Sequence, residues 1–249
     1  MSKKVMIVTG GSRGIGAEIA KLGALDAYAV CISYLHNKAA ADAIVDGITQ
    51  AGGEAIAVVA DMAIEADILN LFNTVDQQLG PVTALVNNAG ILEHQMRVDQ
   101  MDAARMQRIF TTNVIGSFLC AREAVKRMST LHGGSGGAIV NISSVAARTG
   151  GPGEYVDYAA SKGAIDTLTI GLAKEVATEG IRVNAVRPGV IYTEIHASGG
   201  EPGRVDRVKS NVPMQRGGEA DEVAQAVIWL LSDKASYTTG SLLDVTGGR

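Results

Sequence analysis

The 249-residue sequence predicts an α/β fold: one doubly wound domain with a mostly parallel sheet of about seven strands and helices on both faces. Short apolar runs alternate along the chain with segments of helical period, which is typical of parallel strands buried on both sides. The 30 glycines and 4% aromatic residues suit many tight strand–helix connections. No repeat, low-complexity tract or linker interrupts the pattern, so residues 1–249 are predicted to form a single domain.

Four strand–helix alternations are expected in the first half. Each strand is an apolar run that stops at a glycine or a polar residue, and two helices stop at the C-terminal signals Gly52-Gly53 and Gly80-Pro81. The strands are predicted at 5–9, 29–34, 55–60 and 83–86. The first helix is predicted to end near residue 25, and the next two are predicted to span 39–51 and 65–79. This alternation favours a parallel sheet.

The second half begins with a long helical stretch, 103–128, that has Asn113 near its middle. An asparagine amide competes for backbone groups, so Asn113 predicts either a surface position or a local irregularity. Residues 192–216 have no strong period, and a segment of that length is usually a lid or a binding loop. The remaining elements are strands over 138–142, 182–187 and 241–245, a helix continuing to about residue 179, and a helix over 219–231.

Composition and charge exclude several classes of protein. A net charge of −4 without a basic cluster argues against a nucleic-acid partner. No apolar run approaches the ~18 residues of a transmembrane helix, and residues 1–4 lead directly into a strand rather than a signal peptide. Cys31 and Cys120 fall inside apolar elements and are expected to be buried thiols of a reducing compartment. We therefore expect a soluble, cytoplasmic protein without a membrane partner.

Tyr158 and Lys162 lie four residues apart, so they share one face of a helix. Moving a tyrosine pKa from near ~10 to near ~7 requires about 4 kcal/mol. One cation roughly 5 Å away supplies about 3 kcal/mol at an effective dielectric of about 20. The pair therefore predicts an acid–base group that works near neutral pH. Taken alone, the same spacing is also that of an ordinary amphipathic helix.

A glycine-rich turn, Gly10-x-x-x-Gly14-x-Gly16, stands between the first strand and the first helix. Glycines there allow a tight turn and let the backbone approach a pyrophosphate on the helix N-terminus. The spacing differs from the common Gly-x-Gly-x-x-Gly, so a structural turn is the alternative.

Together these motifs resemble the classical short-chain dehydrogenase/reductase family, along the whole chain and in that family's order. The resemblance is carried by Thr9-Gly10-x-x-x-Gly14-x-Gly16, Asp61, Asn87-Asn88-Ala89-Gly90, Asn113, Ser144, Tyr158-x-x-x-Lys162 and Pro188-Gly189. It implies a Rossmann fold and a nicotinamide cofactor.

The resemblance also implies the catalytic roles. Tyr158 would exchange a proton with the substrate oxygen, and Ser144 would hydrogen-bond that oxygen. Lys162 would lower the Tyr158 pKa and hold the nicotinamide ribose, and Asn113 would hold a water on a relay to Lys162. The implied cofactor-binding residues are Gly10, Ser12, Arg13, Gly14, Ile15, Gly16, Tyr34, Asp61, Met62, Asn87, Ala89, Gly90, Tyr158, Lys162, Pro188, Gly189, Ile191 and Thr193.

Three points qualify this assignment. Ser144 lies one position further from Tyr158 than in many relatives, so Ser143 stays a second candidate. Tyr155 is a nearby tyrosine whose i+4 residue, Ala159, cannot lower its pKa. The histidines show no ligand spacing, so no metal is expected. Two of them, His94 and His196, fall near predicted active-site loops and are candidates to touch the substrate.

Two functions follow. The first is an oxidoreductase, a carbonyl reductase or alcohol dehydrogenase, that moves hydride between nicotinamide and a carbonyl/secondary alcohol pair. The alternative is a non-catalytic dinucleotide-binding sensor or scaffold. Such a protein has no need of Asn113, Ser144, Tyr158 and Lys162, so their presence favours the enzyme. The substrate stays open between a polar ketone, a sugar and an aryl ketone.

Cofactor choice is predicted from the end of the second strand. NAD sites usually place an acidic residue there, but this chain has Tyr34 and no acidic residue before Asp42. Arg13 is placed to reach a 2′-phosphate. We therefore expect a preference for NADP(H), with NAD(H) as the alternative, although Leu35 stands where many NADP-preferring relatives carry a second arginine. Further candidates for phosphate contacts are Ser12, Asn37 and Lys38.

The family resemblance suggests a homotetramer. Apolar residues recur on the two long helices more often than one sheet face requires. Examples are Phe118, Leu168 and Leu172. The alternative is that all of these side chains belong to the core.

Overall fold

The computed structural model describes residues 3–249, so the expectation about the N-terminus lies partly outside the described residues, at Met1 and Ser2. One seven-stranded sheet forms the centre of the molecule. Its strand pairs are all parallel, and the strand order is β3-β2-β1-β4-β5-β6-β7. The strands are β1 (Lys4–Val8), β2 (Tyr28–Tyr34), β3 (Ala55–Val59), β4 (Ala84–Asn87), β5 (Gly137–Ile142), β6 (Ile181–Pro188) and β7 (Leu242–Val245). The predicted α/β fold class is confirmed.

Helices cover both faces of this sheet. The helices are α1 (Gly14–Leu25), α2 (Lys38–Gln50), α3 (Glu65–Gln78), α4 (Ala103–Phe110), α5 (Gly116–Met128), α6 (Ala146–Thr149), α7 (Val156–Glu175), α8 (Ile195–Ser198), α9 (Arg204–Val208) and α10 (Ala220–Leu231). None of the helices in the described part is long and apolar enough to cross a membrane.

Strand side chains alternate between two apolar layers. Ile7 packs with Phe72 and Met128 on one face, while its neighbour Met6 packs with Ile19 and the α10 residues on the other. Both layers are buried, which explains why the strands are continuous apolar runs rather than alternating ones. Strand order reverses between β1 and β4, and crevices for ligands form at such a switch point beyond the carboxyl ends of the strands.

The stretch 103–128 is not one continuous helix. A π-helical turn at Thr111–Ile115 separates α4 from α5 and contains Asn113, which is buried. The local irregularity predicted for this asparagine is therefore confirmed, and a surface position is excluded. The turn has a clear cause, because the Asn113 amide bonds to backbone groups outside the helix.

Two expectations about element boundaries need correction. Helix α7 ends at Glu175, and the residues predicted to continue it form a separate 3₁₀ turn, Ala177–Glu179. The segment 192–216 is not a loop throughout, because it contains α8, α9 and the 3₁₀ turn Lys209–Asn211. These helices have at most five residues, which is too short for a periodic pattern to be detected.

Candidate active site

A cleft of about 1180 Å³ opens at the carboxyl ends of the strands, over the switch point between β1 and β4. Most of the predicted site residues line it: Gly10, Ser12, Arg13, Gly14, Ile15, Tyr34, Asp61, Met62, Ala89, Gly90, Ser144, Tyr158, Lys162, Pro188, Gly189, Ile191 and Thr193. The other three, Gly16, Asn87 and Asn113, are buried behind its wall.

The glycine turn is built so that the backbone forms the cleft surface. Gly10 and Gly14 have φ values of +64° and +53°, which favour glycine. A Cβ at Gly16 would lie 2.5 Å from Asn88 Nδ2, and that nitrogen donates to the carbonyls of Thr9 (2.8 Å) and Gly10 (2.9 Å). Asn88 therefore fixes the turn. Asn88 belongs to the motif Asn87-Asn88-Ala89-Gly90, but the sequence pattern does not indicate this role.

No side chain caps the N-terminus of α1. Its first backbone N–H groups are left without intrahelical acceptors, and the positive end of the helix dipole is located at the same place. Helix N-termini of this kind bind phosphate groups. The residues present therefore fit the pyrophosphate of a dinucleotide.

Arg13 is the exposed N-cap residue of α1, and no ion pair involves it among residues 3–249. The two candidates from the neighbouring loop have other partners. Asn37 Oδ1 accepts a hydrogen bond from the Ala40 N–H and caps α2, and Lys38 pairs with Asp42 at 2.8 Å. Unlike Lys38, Arg13 therefore keeps a charge that is free to bind a phosphate on this side of the cleft.

Tyr158 and Ser144 meet at the floor of the cleft. Burial raises the pKa of Tyr158 to about 12, and the neighbouring Ser144 side chain opposes that rise. Ser143 points elsewhere, because its hydroxyl donates to Asp166 Oδ1 at 2.7 Å and is buried. Both serines border the cleft, but a hydroxyl has one proton to donate and that of Ser143 is engaged by Asp166. The Ser144 oxygen accepts from the Ala146 N–H at 3.1 Å, which leaves the Ser144 proton for another acceptor.

Lys162 lies beside Tyr158, with Nζ 5.6 Å from the centre of the tyrosine ring. Nζ donates to the Ile142 carbonyl at 2.7 Å. Burial lowers the pKa of Lys162 to about 8, and the Asp166 carboxylate acts in the opposite direction. Desolvation is the largest influence on the pKa of Tyr158 in this state, so the phenol keeps its proton. The Tyr158–Lys162 spacing predicts the effect of the cation but not the effect of burial.

Asn113 holds the turn that follows β4. Its Oδ1 accepts from the Ile91 N–H at 2.8 Å, and its Nδ2 donates to the Ile91 carbonyl at 3.0 Å. A Cβ at Gly90 would lie 3.4 Å from Asn113 Oδ1 and 3.6 Å from Lys162 Nζ. Glycine at this position therefore keeps the space between the asparagine and the lysine open.

Asn87 faces the protein interior. Its Nδ2 donates to Asn141 Oδ1 on the neighbouring strand β5 at 2.9 Å and to the Ser117 carbonyl on α5 at 3.3 Å. Asp61 follows the end of β3 by two residues and lies at the cleft edge, where its Oδ1 accepts from the Ala63 N–H. Asp61 thus lies at the cleft, whereas the Asn87 side chain supports the sheet behind it.

Short helices and the loop before α7 enclose the far end of the cleft. Tyr155, the nearby tyrosine, is buried, and the guanidinium of Arg204 lies 5.0 Å from its ring centre. Arg204 pairs with Glu154 at 2.5 Å and with Glu201 at 3.2 Å. Because Arg207 pairs with the same two glutamates, these four charges tie α9 to the segment that leads into Tyr158.

The two candidate histidines have different positions. His196 lines the cleft and its Nε2 lies 2.9 Å from the Ile191 carbonyl, while burial lowers its pKa. His94 is exposed outside the cleft, where it packs beside Gly200.

A glycine turn with an uncapped helix N-terminus, placed at the switch point of a doubly wound parallel sheet, is the arrangement of dinucleotide-binding α/β proteins. Comparisons with known proteins narrow this class. The profile of a family described as Enoyl-(Acyl carrier protein) reductase matches residues 10–249. The uncharacterized oxidoreductase YgfF of Escherichia coli K12 is 63% identical over 98% of this chain and 99% of its own length.

Two further relatives extend the comparison. Glucose 1-dehydrogenase 2 of Bacillus subtilis is 36% identical, and the match covers 100% of this chain and 95% of that protein. The crystal structure of a short chain dehydrogenase from Burkholderia cenocepacia in complex with NADP has a TM-score of 0.91 at 33% identity, over 99% of this chain and 98% of that one. The chain belongs to the short-chain dehydrogenase/reductase family, whose members are NAD(P)-dependent oxidoreductases of small molecules.

Proposed function

We propose that this protein transfers a hydride between NADP(H) and a carbonyl/secondary alcohol substrate, with Tyr158 as the acid–base group. One observation carries the proposal: Tyr158, Ser144 and Lys162 converge on the floor of a cleft that the uncapped N-terminus of α1 also borders. A sensor or scaffold requires the helix N-terminus but not this convergence. The non-catalytic alternative has no comparable support.

In the proposed mechanism, the bound nicotinamide supplies the hydride in the reductive direction. The Ser144 hydroxyl donates a hydrogen bond to the substrate oxygen and polarises the carbonyl. Tyr158, whose raised pKa keeps the phenol protonated, gives its proton to the same oxygen as negative charge develops there. The Lys162 cation stabilises the resulting phenolate, since an opposite charge nearby favours the ionised form.

Asn113 is proposed to serve proton return to Tyr158. Its amide fixes the Gly90–Ile91 turn, and the glycine leaves room beside Lys162 Nζ for a water molecule. Such a water would reconnect Lys162 with solvent after each turnover. Asp61 and Met62 are proposed to border the adenine, and Pro188 and Gly189 the nicotinamide.

Preference for NADP(H) is proposed to rest on Arg13. This arginine is exposed at the cleft. After Tyr34, at the end of β2, the chain has no acidic residue until Asp42, and Asp42 is paired with Lys38. A guanidinium binds a phosphate with two parallel hydrogen bonds. The Burkholderia cenocepacia relative was crystallised with NADP, which is consistent with this choice.

A homotetramer is proposed for the assembly, and of the three apolar residues expected to support it only Phe118 is exposed. Leu168 is buried and Leu172 packs against the core, so neither provides an exposed surface. Phe118 on α5 is 49% exposed, Ile115 on the π turn is 50% exposed, and Ile170 on α7 is 38% exposed. We also propose a reducing, cytoplasmic location, in accord with the free, buried thiols Cys31 and Cys120.

The test is turnover by the purified protein, followed as nicotinamide absorbance at 340 nm with NADPH or NADH. The panel should contain polar ketones, aryl ketones, 3-oxoacyl thioesters and enoyl thioesters, and sugars and secondary alcohols in the oxidative direction. We expect carbonyl or alcohol turnover, with a higher kcat/KM for NADP(H). Cofactor binding without turnover of any carbonyl or alcohol would support the sensor instead, and turnover of enoyl thioesters alone would refute the carbonyl assignment.

A further inference from the structure

A carboxylate that no motif predicted connects three elements of the site. Asp166 stands one turn after Lys162 on α7 and is 8% exposed. Its Oδ1 accepts the Ser143 hydroxyl of the β5 end at 2.7 Å. Its Oδ2 accepts from Arg187 of β6, with Nη2 at 2.8 Å and Nε at 3.1 Å. The bonds from the Arg187 guanidinium are charge-assisted, and the bond from the Ser143 hydroxyl is buried, so these contacts are strong.

Each partner of this carboxylate is next to a residue of the site. Ser143 precedes Ser144, and Arg187 precedes Pro188. The Ser143 hydroxyl also lies 3.2 Å from the carbonyl of Lys162. The Asp166 side chain therefore holds the end of β5 and the end of β6 against the helix that carries Tyr158 and Lys162.

From Asp166 toward the surface, basic and acidic side chains alternate. Arg187 Nη1 lies 3.6 Å from Asp244 Oδ1, and Asp244 pairs with Arg148 at the surface. Arg187 and Asp166 are mostly buried, with side-chain exposures of 15% and 11%. This arrangement places the Asp166 carboxylate, with its arginine partner, one helical turn from Lys162.

We propose that Asp166 is a positioning residue of the active site, which fixes Ser144 and the Pro188 wall relative to α7 and keeps Lys162 cationic. Its effect on turnover rests on the proposed function, but its effect on Lys162 does not. The titratable and charged groups near Lys162 are Tyr158 and Asp166 on α7 and Arg187 behind Asp166 on β6. Strand β5 and the π turn present only uncharged groups to it, the Ile142 carbonyl and the amide of Asn113.

The experiment measures the titration of Lys162 without cofactor or substrate. Reductive methylation with formaldehyde and a borane reductant labels the neutral amine, and peptide mass spectrometry reports the rate at Lys162 between pH 6 and pH 10. The test variant is Asp166→Asn, which keeps the shape and removes the charge. Arg187→Gln is the second variant, because it keeps Asp166 and removes a cation. Glu123→Gln is the matched control, since Glu123 is a buried carboxylate with three basic partners on α5.

We expect the labelling midpoint of Lys162 in the wild type near pH 8. Asp166→Asn should lower it by about one pH unit, because the remaining burial disfavours the cation. Arg187→Gln should not lower it, and Glu123→Gln should leave it unchanged. In turnover, the alkaline limb of kcat/KM should move with the midpoint, and Asp166→Asn should lower kcat about tenfold. A midpoint unmoved by Asp166→Asn, or moved equally by Glu123→Gln, would overturn the inference. An inactive wild type with the expected midpoints would instead contradict the proposed function alone.

Discussion

A buried ion pair, Arg105–Asp157, joins α4, which leads into the π turn with Asn113, to α7, which carries Tyr158 and Lys162. Arg105 of α4 bonds to Asp157 at the start of α7 with distances of 2.6 Å (Nε–Oδ2) and 3.4 Å (Nη2–Oδ1). Its Nη1 also donates to the His94 carbonyl at 2.7 Å. The side chains are 4% and 2% exposed, and Asp157 directly precedes Tyr158. Loss of this pair should therefore affect both stability and turnover.

Replacement of Arg105 by Met leaves the Asp157 carboxylate buried without its cation. Breaking one side of a buried pair costs about 3–5 kcal/mol. Asp157 keeps the bond from the Tyr158 N–H at 2.9 Å and lies in the first turn of α7, where the helix dipole stabilises a carboxylate by about 0.3–1 kcal/mol. We therefore expect the lower end, about 3 kcal/mol. For a chain of this size, that corresponds to a fall in Tm of about 6–12 °C.

Thermal and urea unfolding of the purified variants measure this loss. The double variant Arg105→Met/Asp157→Leu should be more stable than Arg105→Met, since it leaves no buried charge. Arg97→Met is the control, because Arg97 and Asp99 form an exposed pair, with 73% and 62% exposed side chains. A loss below about 1 kcal/mol for Arg105→Met, or a double variant no more stable than the single one, would refute the reasoning.

Three further predictions concern the cofactor, the far end of the cleft and the thiols. Arg13→Ala should weaken NADP(H) binding about tenfold and NAD(H) binding less than twofold, because one exposed charged hydrogen bond contributes about 1.5 kcal/mol; equal weakening in a fluorescence titration would remove Arg13 from the choice. Glu154→Gln removes the partner of Arg204 and Arg207 that lies outside the segment 192–216, while their other shared partner, Glu201, stays. Limited proteolysis within 192–216 should therefore be several-fold faster than in the wild type, and bound cofactor and substrate should slow it. Identical cleavage rates would show that these charges do not hold the segment. Cys31 and Cys120 should resist iodoacetamide until the protein unfolds. Burial raises the pKa of Cys120 to about 12 and raises the pKa of Cys31 as well, so neither thiol is ionised near neutral pH. Rapid labelling of the native protein would contradict their burial.

The fold could be predicted because its signals are local. Each buried parallel strand is a run of adjacent apolar residues, and the turns are marked by glycines of their own. Strands and turns can therefore be recognised without knowledge of distant contacts. Asn113 is the clearest case, since a residue that disfavours a helix interior marked the π turn correctly.

The rest depended on contacts between distant parts of the chain. The orientation of Ser143 is set by Asp166, 23 residues further on, and no spacing rule indicates it. Asn87 belongs to a recognisable motif, but its partner Asn141 on the next strand turns its amide away from the cleft. Burial of Tyr158 likewise comes from the assembled cleft, and so does the direction of its pKa. In each case the deciding term is tertiary packing or desolvation, which a sequence pattern does not contain.

The central claim is that Tyr158 transfers the proton during hydride transfer. The most direct measurement compares wild type and Tyr158→Phe with the best substrate of the panel, since phenylalanine keeps the ring and removes only the hydroxyl. We predict that kcat falls by about 10²–10⁴-fold, the range for loss of acid–base catalysis. The Kd for NADP(H), measured by nicotinamide fluorescence, should stay within about twofold because the glycine turn and α1 are untouched. A Tyr158→Phe protein that binds the cofactor and turns over at the wild-type rate would contradict the account.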